Sequence, residues 1–435
     1  MTEIKNEQQI NNDEQMEAYS QAVQSGLYAK KSGLVGKYDN VRLYWEDELM
    51  RIFMRPHLQK LIEHSQSEMR RLRILDLGCG SADGYELLSR VRHRDSSLRD
   101  DEVDLLTPDV LGLYKGIELN TDLMEQARGI YGDNPKMVFQ QGDFSDGLPL
   151  SEDEKPYDLY FTSYGTCSHL NDDEQAVKLL ADIARRADKY CIIVCDWLGR
   201  WSYEWQSLWT NDFDRLRNMD YVVSYIYNEQ ERRKRRDELQ HLTLRLMSRP
   251  EAEEIIAEAS HRAGVQIRPA KFFDRSVLTG RHMDTGDYNP HAQPIRQAVN
   301  MLHEANIRTD FDDLLVNYVP KQGFEELNDF MEHLTVCWNT LVQYVDELLH
   351  RYDERERQFA GGAPDIPENC PEPLRSMMQR MRMVVEGIGW LGIGLPREHI
   401  IEPQLGYALR HLVSSLQRGM GCGHGLVGIL EVDKR

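Results

Sequence analysis

The sequence predicts an α/β fold in which a mainly parallel sheet alternates with helices, and three observations predict it. The run Ile74-Leu75-Asp76-Leu77-Gly78-Cys79-Gly80 carries an apolar strand into an acid and two spaced glycines, after which Tyr85, Leu87, Leu88 and Val91 take helical spacing. Four further short apolar runs, at 114–118, 137–144, 157–161 and 190–195, alternate with helix-like segments, the pattern of successive strand–helix units. A 41% hydrophobic fraction over 435 residues is enough to bury a large core, and the length suggests two or three structural units.

Each element has a local reason. Glycine at 78 and 80 permits unusual backbone angles and close approach of a ligand to the main chain. The helix start beyond them presents free N–H groups to a negative group. Tyr114–Glu118 reads as a second strand ending in an acid, placed where a carboxylate accepts from ribose hydroxyls in a Rossmann-like sheet. Residues 137–144 read as a third strand ending in Asp143 and Phe144, an acid and an apolar residue suited to an adenine. Tyr157–Phe161 is a fourth strand leading into the loop Thr162–His169. A helix over 172–187 and a fifth strand, Tyr190–Cys195, follow.

In this order the residues resemble the class I S-adenosylmethionine-dependent methyltransferases over about residues 70–200. The resemblance implies a Rossmann-like seven-stranded methyltransferase sheet and S-adenosylmethionine as cofactor. It implies cofactor contacts from Asp76, Gly78, Gly80 and Ser81 in the glycine loop, from Glu118 and Leu119, from Asp143 and Phe144, and from Thr162 and Ser163. One departure is Ala82, where the family often has a third glycine. Another is the long interval to Glu118, which the charged stretch 92–110 explains as an insertion.

Outside that region, residues 1–20 are polar, and 21–65 read as helical with Tyr38, Tyr44 and Trp45 as anchors. In the resembled family helices here close over the cofactor. Tyr38 would then reach its methionine end and Arg42 its carboxylate, ordinary helix packing being the alternative. Trp197, Trp201, Trp205 and Trp209 share one face of a helix by their four-residue spacing, as core or as a substrate-pocket wall. Runs 221–227 and 241–247 suggest an antiparallel hairpin. A helix through Glu251–Ala263 follows, with Pro250 in its first turn and Gly264 as its cap. Residues 265–273 read as a sixth strand, and 425–432 as an antiparallel seventh beside it. The expected organisation is therefore an N-terminal helical segment and cofactor lid (1–69), the methyltransferase core (70–273), a mainly helical cap or insertion (274–424), which is also a candidate for homodimerisation, and the last core strand (425–435).

Composition narrows the partners. A formal net charge of −20, with 52 basic against 72 acidic residues, argues against nucleic acid, which needs a positive footprint. The basic cluster Arg232–Arg236 is flanked by acids and reads as a solvated face. No apolar run reaches the length of a membrane span. The polar N-terminus is unlike a secretion signal, and seven cysteines without metal-like spacing fit reduced thiols, so a cytoplasmic location is expected. Cys422 and His424 in the glycine-rich segment 421–425 lack further ligands for zinc, and no metal is expected.

Methyl transfer from a sulfonium requires alignment of nucleophile, methyl and sulfur, exclusion of water, and a base where the nucleophile carries a proton. The candidates are His169, Asp196 and, after the sixth strand, His282 with Asp284. Tyr164 could orient the acceptor. No Asn-Pro-Pro-Tyr-like sequence follows the fourth strand, which weighs against nucleobase or glutamine methylation. The expected activity is transfer to O or N of a small-molecule acceptor. The alternatives are a protein or peptide methyltransferase and a non-catalytic methyltransferase-like subunit. An enclosed apolar cavity would favour the first, an open groove the second, and a degraded cofactor motif the third.

Overall fold

The computed structural model describes residues 19, 20, 23, 34, 36–93, 104–212, 217–389 and 394–434. Most of the helical reading for 21–33, and half of the charged stretch 92–110, lie outside them. A π-type turn, Arg42–Glu46, opens into α1 (Asp47–Ser67). There follow β1 (Leu72–Leu77), α2 (Asp83–Ser89), β2 (Leu111–Glu118), α3 (Thr121–Tyr131), β3 (Met137–Gln141), β4 (Leu159–Phe161), α4 (Asp173–Arg186) and β5 (Tyr190–Gly199). Next come β6 (Asn218–Val222), α5 (Glu229–Lys234), β7 (His241–Met247), α6 (Arg249–Ala263) and β8 (Ile267–Arg275). The chain then runs through α7 (Ile295–Met301), α8 (Glu325–Arg351), the short pair β9 (Tyr352–Asp353) and β10 (Gln358–Phe359), α9 (Glu372–Ile388), α10 (Glu402–Leu416) and β11 (Gly425–Asp433).

The main sheet has the order β3-β2-β1-β4-β5-β11-β8. The first five strands are parallel, and β11 is antiparallel to both neighbours, with Val427 opposite Asp196 on one side and Phe273 on the other. This is a Rossmann-like path of seven strands in which the last-made, β11, takes the sixth place between β5 and β8, and the branch through β7 and β6 brings the sheet to nine strands. Every residue of β5 is buried, which accounts for its unbroken apolar run. α6 is held at its start by a capping box between Ser248 and Glu251, and it ends on Gly264 in the left-handed conformation.

Two local expectations fail. The tryptophan stripe is not one helix: Trp197 lies on β5, and Trp205 is non-helical inside the 3-10 turn Tyr203–Leu208. All four tryptophans are buried in cores and none lines either cavity described below, because the four-residue spacing straddles a strand end and a turn. The hairpin is also offset. β6 ends at Val222, and β7 pairs antiparallel with it while its last residues, Leu246 and Met247, run parallel to Leu198 and Gly199. The β6–β7 ribbon therefore hangs from the overhanging end of β5.

The segment between β8 and β11 is mainly helical and has its own core. Trp338, Met377, Leu405 and Leu409 are fully buried there, and Val41, Trp45 and Trp201 pack into the same cluster. No helix among the described residues is long and apolar enough to cross a membrane.

A buried charge network joins the N-terminal segment to this layer and to the sheet. The Glu46 carboxylate accepts from Arg275 at 2.9 Å, from Arg296 at 2.8 Å and from the Ser276 hydroxyl at 2.8 Å. Asp39 takes two further Arg296 N–H groups, at 2.6 and 2.7 Å. Burial alone would raise the Glu46 carboxyl, but Arg296, Arg281 and Arg275 together hold it well below the ordinary carboxylate range. Removing one partner of such a cluster leaves buried charge uncompensated. Glu46→Gln is expected to lower the unfolding free energy by about 3–5 kcal/mol in denaturant titrations. Arg233→Gln, which breaks an exposed pair with Glu229, is expected to leave the midpoint nearly unchanged.

Candidate active site

The carboxyl ends of β1, β2 and β3 surround a cavity of about 950 Å³ of empty space, its mouth included. Gly78 turns with φ +65°, and a Cβ there would come 2.5 Å from Thr166. Glu118, the last residue of β2, accepts from the Gly80 amide at 2.7 Å and the Asn120 amide at 2.9 Å, so one carboxylate ties the glycine loop to the next helix start. Leu119, Asp143, Phe144 and Ser163 complete the wall, and Asp143 accepts from the Ser145 amide at 2.8 Å. At one end the Lys37 ammonium and the Asp83 carboxylate face the cavity as an ion pair at 2.5 Å.

Several expected cofactor residues stand behind this wall. Asp76 is wholly buried beneath the loop and accepts from the Tyr114 hydroxyl. A Cβ on Gly84 would come 2.2 Å from its carboxyl oxygen, which is the packing reason for the third glycine. Ser81 donates to Gln126 and Thr162 to the Val194 carbonyl, so both frame the loops and do not line the space. Tyr38 and Arg42, the residues expected at the methionine end, do not line the first cavity. The Tyr38 hydroxyl is spent on Asp83 and lines neither cavity. The Arg42 guanidinium lies 4.5 Å from the Tyr38 ring centre and 3.8 Å from that of Tyr164, paired with Asp83, and borders a second cavity instead. Lys37, five residues earlier, lines the first cavity where Arg42 does not.

That second cavity, about 610 Å³ of empty space, adjoins the first across Tyr19, Lys37, Tyr164 and His169, which line both. One wall is apolar and aromatic: Tyr221 from β6, Leu242 and Leu244 from β7, with Val223 and Tyr225 between them. The other carries Arg42, Arg275, Arg281 and His424. Among the described residues, none of 283–423 lines either cavity. The expected insertion, 274–424, reaches the second cavity through Arg275, Arg281 and His424 near its two ends, while its helices line neither cavity. Its apolar faces are occupied by its own core and by the N-terminal segment, and the β6–β7 ribbon and residues 37–42 provide the cover.

The expected proton-handling residues separate. His169 borders both cavities, its Nε2 3.1 Å from the Tyr19 hydroxyl, and burial pulls it down to about 4. Tyr164 also borders both. Its backbone sits at φ +55°, its amide donates to Asp196 at 2.7 Å, and its hydroxyl donates to Asp47 at 2.7 Å. Four of the six non-glycine residues with positive φ among the described residues, Ala82, Tyr164, Ser276 and Leu278, sit in loops after β1, β4 and β8, where strain accompanies function. Asp196 and His282 line neither cavity. Asp196 is buried and paired with Arg275 at 3.2 Å. His282 is enclosed edge-on by Tyr221, Tyr225 and Tyr288. Asp284 borders a different, outer groove with Arg232. The sequence reading missed Lys37, Asp83 and Arg281 at these walls. It also missed His424, whose signal was present in the glycine-rich segment 421–425.

No protein-family model matches the chain, and no curated protein matches it. Among solved structures, an S-adenosylmethionine-dependent methyltransferase of Clostridium acetobutylicum matches at 12% identity and TM-score 0.33, covering 54% of this chain and 86% of that one. A SAM-bound amino pentose methyltransferase of Micromonospora echinaspora matches at 12% identity and TM-score 0.30, covering 53% and 86%. The magnesium protoporphyrin IX methyltransferase of Synechocystis, with bound SAH, matches at 12% identity and TM-score 0.29, covering 54% and 81%. Likeness of this size leaves the functional reading to the chain's own geometry.

Burial pushes the Asp76 carboxyl up to about 8, only partly opposed by the Tyr114 hydrogen bond. The folded protein then holds a proton that the unfolded chain releases near pH 4, so this residue's contribution to stability is full below about pH 4 and is lost as pH rises toward 8. Asp76→Asn imitates the protonated form. Its unfolding free energy relative to wild type is expected to rise with pH across that window, with a slope of up to about 1.4 kcal/mol per pH unit, measured by urea titration at several pH values. A pH-independent difference would show Asp76 to be ionised in the fold.

Proposed function

We propose that this protein is a methyltransferase that uses S-adenosylmethionine and methylates an O or N atom of a small molecule. The observation that carries the reading is the pair of adjoining cavities at the carboxyl edge of the sheet, one bearing Glu118 and Asp143, the other walled by aromatic and cationic side chains. The residues of the first cavity fit the cofactor. Glu118 stands at the end of β2 to accept from ribose hydroxyls, and Asp143 with Phe144 offers an acceptor and a ring to adenine. Lys37 and Asp83 complement an α-carboxylate and an α-amino group. When bound, the cofactor supplies an electrophilic methyl group on sulfur. The protein's residues bind and orient it and exclude water.

The burial of much of the second cavity's wall supports a small acceptor over a peptide. Its lining residues Tyr221, Leu242, Leu244, Arg275 and His424 are all buried. The acids at 118 and 143 face the first cavity, which supports an enzyme over a non-catalytic subunit.

Thermal unfolding in the presence of S-adenosylmethionine, S-adenosylhomocysteine or NAD tests the assignment. The two sulfur compounds are expected to stabilise wild type, by about 2.7 kcal/mol at 100 times their dissociation constants. Glu118→Ala is expected to weaken that shift, and NAD to produce none. No shift with either sulfur compound, or an equal shift with NAD, would overturn it.

A further inference from the structure

His424 is buried on the wall of the second cavity, and the surrounding chain is built to put it there. Its Nδ1 lies 2.8 Å from Glu204, a wholly buried carboxylate that also accepts from the Ser202 hydroxyl at 2.9 Å and the His282 amide at 2.8 Å. The segment 421–425 reaches this point because glycine lets backbones touch. A Cβ on Gly423 would come 2.3 Å from the Arg275 carbonyl, and one on Gly199 would come 2.2 Å from the Gly423 carbonyl. Asp274 fixes the turn by accepting from the amides of Met420, Gly421 and Cys422 at 3.0, 2.7 and 2.9 Å.

With Nδ1 given to Glu204, the neutral tautomer carries its hydrogen there and leaves the Nε2 lone pair for a molecule in the cavity. The groups that bear on His424 are Glu204, Tyr221, Trp205, Arg275 and Glu46. Burial, with help from Arg275, outweighs Glu204 and Glu46 and holds the ring below the ordinary histidine range, so it is neutral and its lone pair is open to a proton. Burial would raise the Glu204 carboxyl, but His424 and the hydrogen bonds it receives keep it below the ordinary range, so it is ionised.

The same cavity has a marked charge character. Lys37, Arg42, Arg275 and Arg281 line it, and among the described residues no carboxylate does; their partners Asp83, Asp47, Glu46 and Asp196 stand behind them. Arg281 binds the carbonyls of Gly36 and Lys37, at 3.3 and 3.2 Å, and lies only 3.8 Å from Glu46, so it is the least neutralised of the four.

We infer that the second cavity takes a small organic anion, a carboxylate on an aromatic or apolar body, and that His424, positioned by Glu204, accepts the proton from the atom to be methylated. The inference rests on the proposed reading for the methyl donor, but the site's binding and proton transfer do not need the donor. In the step, the acceptor's X–H proton goes to Nε2 and the pair left on X forms the new bond to the methyl carbon. The broken carbon–sulfur bond leaves its pair on sulfur, as a neutral thioether.

The probe is 4-hydroxy-3-nitrobenzoate, whose absorbance distinguishes phenol from phenolate, titrated into the full-length protein with and without S-adenosylhomocysteine. The expected result is saturable binding, with the phenolate band appearing at a pH where the free probe is mostly protonated. The uncharged 4-hydroxy-3-nitrobenzamide is expected to bind at least about tenfold more weakly, and Arg281→Gln to weaken the acid by a similar factor. His424→Gln is expected to bind the probe but leave it protonated, and Glu204→Gln to reduce the band. Equal binding of the amide, no binding of the acid, or an unchanged band in folded His424→Gln would each overturn the inference. The acid–amide comparison uses wild type alone, so it decides even if a variant fails to fold. Absence of homocysteine-cofactor binding in the same samples would remove the methyltransferase reading while the probe result on ligand-free protein still decides this one.

Discussion

Everything at the carboxyl edge of this sheet depends on one buried carboxylate meeting guanidinium groups from distant parts of the chain. Glu46 binds Arg275 at the end of β8 and Arg296 in α7. Arg275 also holds Asp196 on β5, and Asp196 accepts the amide of Tyr164 in the β4 loop. Four chain segments are thereby fixed relative to one another by ion pairs away from water. Such clusters gain little net stability, because desolvation offsets most of the attraction, but a misplaced member is costly. The network therefore acts chiefly as a registration device. It seats residues 37–42 over the sheet and so shapes the boundary between the two cavities.

This arrangement explains which parts of the protein were legible in the sequence. The strands, the glycine loop and the acids at 118 and 143 are local signals: an apolar run, its period and the residue that ends it. β11 was legible for the same reason, and its antiparallel place beside β8 followed from the family resemblance, whereas its pairing with β5 on the other side is seen only in the fold. The tryptophan series misled because period four holds over a strand end and a turn as readily as over a helix, and spacing carries no information about where a strand stops.

The acceptor-side residues were illegible because they are made by tertiary contact. Glu204 and His424 are separated by 220 positions and meet only because β11 inserts beside β5. Lys37 was masked by its neighbour Arg42, since nothing local says which of two nearby cations faces a cavity. The insertion was read as a cap from its size and position. In the fold its apolar residues close on one another, and the short β6–β7 ribbon, which carried no motif, makes the wall.

The two cavities differ in charge in a way that bears on turnover under the proposed chemistry. Asp83, Glu118 and Asp143 line the first with Lys37 as its cation, whereas the second presents cations and histidines without an acid among the described residues. A sulfonium donor brings positive charge to the acidic side, and an anionic acceptor brings negative charge to the basic side, so each compartment favours its own ligand and disfavours the other. Transfer of the methyl group removes the donor's charge, since the sulfonium becomes a neutral thioether, while the acceptor's carboxylate stays anionic and its proton rests on the base that took it. The acidic walls of the first cavity then favour the charged donor over its neutral product. The fixed charges consequently do more for binding order and product release than for the displacement itself. Acceleration falls to alignment across Tyr164 and His169 and to removal of the acceptor's proton.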